Sequence, residues 1–132
     1  MTTDGPLDVL ALAAVAAASD AWPQQPDRSR KTYVVRNGKR LHLRTYDGAS
    51  DDWFFGIHER CWNPHEYFVF VCGGDNAMFV VPVRDLPDRE VFPPRGNDRL
   101  VHIDCDYRTW YIRDPDPWFM LDNYRDAFRM LA

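Results

Sequence analysis

Lys31-Thr-Tyr-Val-Val-Arg-Asn-Gly-Lys-Arg-Leu-His-Leu-Arg44 is the most informative stretch of the 132-residue chain. Two runs rich in β-branched and aliphatic residues flank Asn37-Gly38, the dipeptide that favours a two-residue hairpin turn. A two-residue turn fixes the register. It sets Arg36 against Lys39, Val35 against Arg40, Val34 against Leu41, Tyr33 against His42 and Thr32 against Leu43. Side chains alternate across a strand, so Thr32, Val34, Leu41 and Leu43 are expected to point inward. Lys31, Tyr33, Val35, Arg40, His42 and Arg44 then share the other face, which makes a basic ribbon with an aromatic inside it.

Before the hairpin, Leu7 to Ser19 reads as a helix. Pro6 precedes it, and its Ala and Leu residues are strong helix formers. It is apolar all round, which predicts packing on several sides. Trp22-Pro-Gln-Gln-Pro26 is a linker, because two prolines forbid regular structure there. After the hairpin, Trp53 to Ile57 reads as a short strand. Tyr67-Phe-Val-Phe-Val-Cys72 is apolar throughout and predicts a strand buried on both faces. Gly73 to Asn76 is a turn, and Met78 to Val83 is the next strand. Arg84 to Asp98 holds three prolines and reads mainly as loop. Leu100 to Ile103 and Thr109 to Ile112 are two further short strands. Asp116-Pro117 has the chemistry of a helix start, with the helix running from Trp118 to Leu131. The expected fold is α+β, a single mixed or antiparallel sheet with an N-terminal and a C-terminal helix. Residues 1–132 read as one domain, with 1–6 as a flexible terminus.

The composition is 45% hydrophobic and 14% aromatic, which excludes a disordered chain. The longest apolar run, Leu7 to Ala18, is too short to span a membrane. The residues before it lack the positive charge of a secretory signal. Three cysteines, Cys61, Cys72 and Cys105, do not make a disulfide framework, so a reducing cytoplasm is expected. The net charge of −4 argues against indiscriminate coating of nucleic acid. The charge is unevenly spread, however. Residues 28–44 carry seven basic side chains and no acidic one, and the remainder carries nine basic against 20 acidic. Two readings compete for that patch: a specific polyanion site, or a solvated hairpin whose charges keep it soluble.

The order of these pieces is similar to the PD-(D/E)XK, or restriction-endonuclease-like, family. Its members read as a leading helix, a Tyr-bearing strand, a tight turn, a Glu/Gln-x-Lys-Thr strand, a Trp-Phe strand and two apolar strands. The matching pieces are Tyr33-Val34, Asn37-Gly38, His42-Leu43-Arg44-Thr45, Trp53-Phe54-Phe55, Tyr67 to Val71 and Phe79-Val80-Val81-Pro82, covering residues 7 to 86. The family's first metal-binding acid falls at Val34, its Glu at His42 and its Lys at Arg44. Val offers no ligand, and His is a poor ligand for Mg²⁺. The resemblance therefore implies a degenerate core that binds without cleaving.

Other constellations carry less. His58-x2-Cys61-x3-His65 offers three zinc-ligand types but has no partner pair at finger spacing, so it reads as a loop. Asp47, Asp51 and Asp52 could replace the missing carboxylates, yet they read first as a turn and a cap. Asp104, Asp106, Asp114 and Asp116 read as a solvated acidic rim. No nucleophile elbow, phosphate loop or dinucleotide fingerprint is present. No metal, cofactor or catalytic residue is expected.

The resulting expectation is a non-catalytic nucleic-acid-binding protein acting on duplex DNA. Lys31, Arg40 and Arg44 would reach phosphates or guanine edges, and His42 a phosphate. Tyr33 would stack or pack, Arg36 and Lys39 would touch the backbone, and Trp62 would stack on a base or anchor a partner. The alternative is a protein-interaction module, an inhibitor or accessory subunit of a nucleic-acid-processing or defence system, marked by an exposed patch around Trp62 and Phe92. A short chain that reads duplex DNA often does so as a homodimer. No membrane partner is expected.

Overall fold

The computed structural model describes residues 5–27, 30–47 and 52–132. One α-helix, α1 (Pro6–Ser19), opens the described chain, with Gly5 as its N-cap and Pro6 in the first turn. Gly5 and Pro6 therefore belong to the helix start rather than to a flexible terminus. Nine strands follow among the described residues: β1 (Thr32–Val34), β2 (Arg40–Tyr46), β3 (Asp52–His58), β4 (Tyr67–Cys72), β5 (Ala77–Pro82), β6 (Pro94–Arg95), β7 (Asp98–Asp106), β8 (Thr109–Ile112) and β9 (Phe119–Met120). No helix among the described residues is long and apolar enough to cross a membrane.

The fold is α+β, but the strands divide between two sheets instead of sharing one. The first has the order β1-β2-β4-β5, and the second β3-β7-β8-β9 with β6 on β7. β2 and β4 run parallel, and every other pair is antiparallel. A parallel pair needs a long crossover. Here the crossover contains β3, which leaves for the second sheet. β3 alternates Trp53, Phe55 and Ile57 inward with Phe54 and Gly56 outward, as a one-sided strand must.

β4 is buried along its whole length because layers cover both its faces. Tyr67, Val69 and Val71 meet Ala11, Leu12 and Val15 of α1, together with Phe128 and Leu131 of the C-terminal segment. Phe68, Phe70 and Cys72 face the second sheet, where Trp53, Phe55, Val101, Ile103 and Trp110 complete the larger core. Trp53 also donates its indole N–H to the Gly73 carbonyl at 3.1 Å, tying the sheets together.

Two expectations are corrected. The hairpin register is displaced by one residue: Thr32 pairs with His42, Tyr33 with Leu41 and Val34 with Arg40. The turn runs from Val35 to Gly38, closed by Gly38 N–H on the Val35 carbonyl at 2.9 Å, with Gly38 at φ 90°. That is a type I turn followed by a left-handed glycine bulge, not the two-residue turn. The shift sends Tyr33 and Val35 toward α1, where both are 2% exposed, and puts Thr32 and Val34 on the opposite face. Burying the Tyr33 ring in place of a threonine favours this register.

The second correction is at the C-terminus. The expected α-helix over Trp118–Leu131 does not form. Phe119–Met120 joins the second sheet, and two 3₁₀ turns, Asp122–Tyr124 and Phe128–Leu131, follow. Asp126 between them has φ 54°, and its N–H bonds to the Met78 carbonyl on β5. Asp and Asn in the first turns hold helix poorly, and tertiary contacts decide.

Candidate nucleic-acid interface

β1 and β2 extend beyond the cover of the second sheet. Their uncovered face, the edge of β3 and the turn after it enclose a cleft of about 590 Å³. The linker contributes Pro26, Asp27 and Arg30, and the hairpin contributes Lys31, Thr32, Arg40, His42 and Arg44. The far wall holds His58, Arg60, Cys61 and Glu66. Five cationic side chains thus face two carboxylates.

The charges are not equivalent. Arg30 pairs with Asp27 at 3.1 Å, and Lys31 pairs with the nearly buried Asp8 of α1 at 3.0 Å. Arg40, Arg44 and Arg60 have no ion-pair partner among the described residues. Arg44 is held by backbone carbonyls of β2 and β3, donating to Leu43 at 2.8 Å and to Gly56 at 3.4 Å.

His42 sits at the floor, only 4% exposed. Its Nε2 lies 2.6 Å from Glu66 Oε1 and its Nδ1 2.9 Å from Thr32 Oγ1. A carboxylate only accepts, so Nε2 carries the proton; Nδ1 of the neutral ring then accepts from the Thr32 hydroxyl. Burial holds the imidazole below the ordinary histidine range. Glu66 pulls upward, while Arg44 and Arg40 add to the depression. Both ring nitrogens are engaged, so His42 does not offer the phosphate contact expected of it. It organises the floor of the cleft instead. Burial likewise raises the Cys61 thiol, with Arg44 opposing it.

Of the residues singled out in the sequence, Lys31, Arg40, His42 and Arg44 come together here. Tyr33 does not: it is buried against α1 and cannot stack on a ligand. Arg36 is exposed at the hairpin tip, away from the cleft lining. Lys39 turns back to the C-terminal segment, donating to the Met130 carbonyl at 2.8 Å and the Ala132 carbonyl at 3.3 Å. Trp62 is half-buried between Phe68 and Phe92 and lines a separate groove with Pro64 and Leu86. Phe92 is 1% exposed, so the apolar patch expected around these two residues does not form. Asp51 lies outside the described residues.

Arg60, Glu66 and Thr32 were not read as parts of this site. Glu66 reaches His42 because β4 runs parallel to β2, with Tyr67 beside Leu41. Arg60 arrives through the two-sheet arrangement. Neither relation has a local signal in the sequence.

No family model, no curated protein sequence and no solved structure matches the chain.

Proposed function

We propose that the chain binds nucleic acid without cleaving it, holding backbone phosphates in the cleft between the β1–β2 hairpin and the turn after β3. The observation that carries this reading is the convergence of Arg40, Arg44 and Arg60, without carboxylate partners among the described residues, on one concave surface. Guanidinium groups match phosphate oxygens in pairs, and a preset Arg44 loses little freedom on binding. Lys31 and Arg30 sit at the same rim and add field even while paired. The acidic remainder of the molecule favours one defined track over coating. The resemblance to a restriction-endonuclease-like core, if carried over, would put Val34, His42 and Arg44 where that family has acid, acid and lysine, a set that binds without cleaving. Of these, His42 is committed to Thr32 and Glu66.

The test is fluorescence anisotropy with labelled duplex DNA, single-stranded DNA and RNA at two salt concentrations, with and without Mg²⁺. Salt-sensitive binding, lost in Arg40→Ala/Arg44→Ala and leaving the strands intact, is the expected result. Failure to bind all three at low salt would overturn the proposal.

The protein-interaction reading keeps one supporting observation. Phe54 and Met120 of the second sheet, and Trp118 just before β9, are each about half exposed, at 51%, 48% and 57%. Large apolar side chains left in solvent on a sheet face suit a protein partner.

A further inference from the structure

The outer face of the second sheet holds a polar cluster that the cleft does not use. β3 and β7 pair with Asp52 opposite Asp104. The two-residue period brings His102 to the same face. His102 is 2% exposed, with the Phe54 ring lying 3.7 Å from its own. Its Nε2 faces Asp104 Oδ1 at 3.0 Å and Asp52 Oδ2 at 3.3 Å. Neither contact has the geometry of a hydrogen bond from Nε2, which is a buried side-chain atom left without a hydrogen-bond partner.

A plain ion pair explains this poorly, because an imidazolium would aim its N–H at one of the carboxylates. A shared cation explains it directly. Cis ligands at about 2.1 Å from a metal lie about 3.0 Å apart and about 45° off the imidazole lone-pair axis, since that lone pair points at the ion. One ligand atom from each of the three residues lies within 4.8 Å of the others. The second carboxylate oxygen of Asp104 accepts from Arg113 at 3.4 Å, which orients the group from behind. The Asp52 side chain is 48% exposed, which gives an ion access from solvent.

We propose that Asp52, His102 and Asp104 form a binding site for one divalent transition-metal ion, Zn²⁺ or Mn²⁺, with water completing its shell. One imidazole with two carboxylates suits these ions, whereas Mg²⁺ and Ca²⁺ prefer oxygen alone. The site is separate from the cleft. Asp52 and the cleft residue His58 stand at opposite ends of β3, about 20 Å of strand apart.

The experiment is isothermal titration of the chelator-treated full chain with ZnCl₂, MnCl₂ and MgCl₂, with circular dichroism to verify folding. Wild type is expected to take up one equivalent of Zn²⁺ or Mn²⁺ and to give no saturable heat with Mg²⁺. Asp52→Asn and Asp104→Asn are each expected to weaken binding at least about tenfold. Asp52 is half exposed, so its variant keeps the test open even if Asp104→Asn fails to fold. His65→Asn, in the cysteine–histidine loop, is expected to bind as wild type. Unchanged binding in Asp52→Asn, loss in His65→Asn alone, or no uptake of either ion by wild type would overturn the assignment.

Discussion

Replacing Tyr33 and Val34 one at a time separates the two hairpin registers. In the observed register Tyr33 is 2% exposed under α1, in a cluster with Leu12, Val15, Leu41 and Leu43. Val34 is half-buried on the other face. Truncating a buried aromatic ring to alanine removes its burial energy and leaves a cavity, at a cost of about 3–5 kcal/mol. Truncating a half-buried valine at the sheet's edge should cost under about 1 kcal/mol. With a urea dependence of about 1–3 kcal/mol per molar, Tyr33→Ala should lower the unfolding midpoint by about 1–5 M, and Val34→Ala by under about 1 M. Equilibrium urea unfolding followed by tryptophan fluorescence measures both on the same scale. Two-residue-turn geometry reverses the order, because Val34 would then be inside and Tyr33 outside. A Val34→Ala cost equal to or larger than that of Tyr33→Ala would refute the bulged hairpin, and with it the identity of the residues facing the cleft.

Further outcomes follow from single features. His42 has a depressed folded pKa, so it contributes stability that is complete above the ordinary histidine value of 6.5 and is lost as pH falls below it. Urea midpoints should therefore fall between about pH 7 and pH 5 in wild type and fall less in His42→Gln; equal slopes would contradict this. Gly73 leaves no room for a side chain, since a Cβ there would lie 2.5 Å from Asp47 Cα and 2.6 Å from the Tyr46 carbonyl oxygen. Gly73→Ala should cost about 1–3 kcal/mol, and a neutral result in thermal unfolding would show that this contact relaxes freely. The β7–β8 turn holds Tyr107 at φ 49° and Arg108 at φ 68°. Tyr107→Asn/Arg108→Gly should stabilise by about 1–2 kcal/mol, read as a raised unfolding temperature.

Much of the fold was legible because its signals are local. The unbroken apolar run Tyr67–Cys72 announced a strand covered on both sides, and β4 is that strand to the residue. Thr109–Ile112 was equally plain. What failed depended on distant partners. Asn37-Gly38 favours a two-residue turn, yet burial of Tyr33 selects the bulged form. The mirror-image turn geometry is taken instead by Tyr107-Arg108, which carry no signal for it, because the β7–β8 pairing of Asp106 with Thr109 leaves only two residues between them. Asp116-Pro117 looked like a helix start, but Phe119 and Met120 find sheet partners in Ile112 and Tyr111. The split into two sheets was hidden because β3 pairs with β7, far along the chain. The site shows the same division. The basic face of Arg40 and Arg44 followed from strand alternation, whereas Glu66 and Arg60 reached it through the parallel crossover. Asp52 and His102 became neighbours only through the β3–β7 register.

The salt dependence of binding tests most directly whether the arginines of the cleft hold phosphates. Each phosphate contact removed should reduce the slope of log K against log salt by about 0.9 on duplex DNA. Anisotropy titrations across a salt series, comparing wild type with Arg40→Ala/Arg44→Ala and with Arg95→Ala/Arg108→Ala on the second sheet, read that slope. The expected slope is shallower by about 1.8 in the cleft variant and unchanged in the other. Equal slopes in wild type and the cleft variant, or a loss confined to the second-sheet variant, would contradict it.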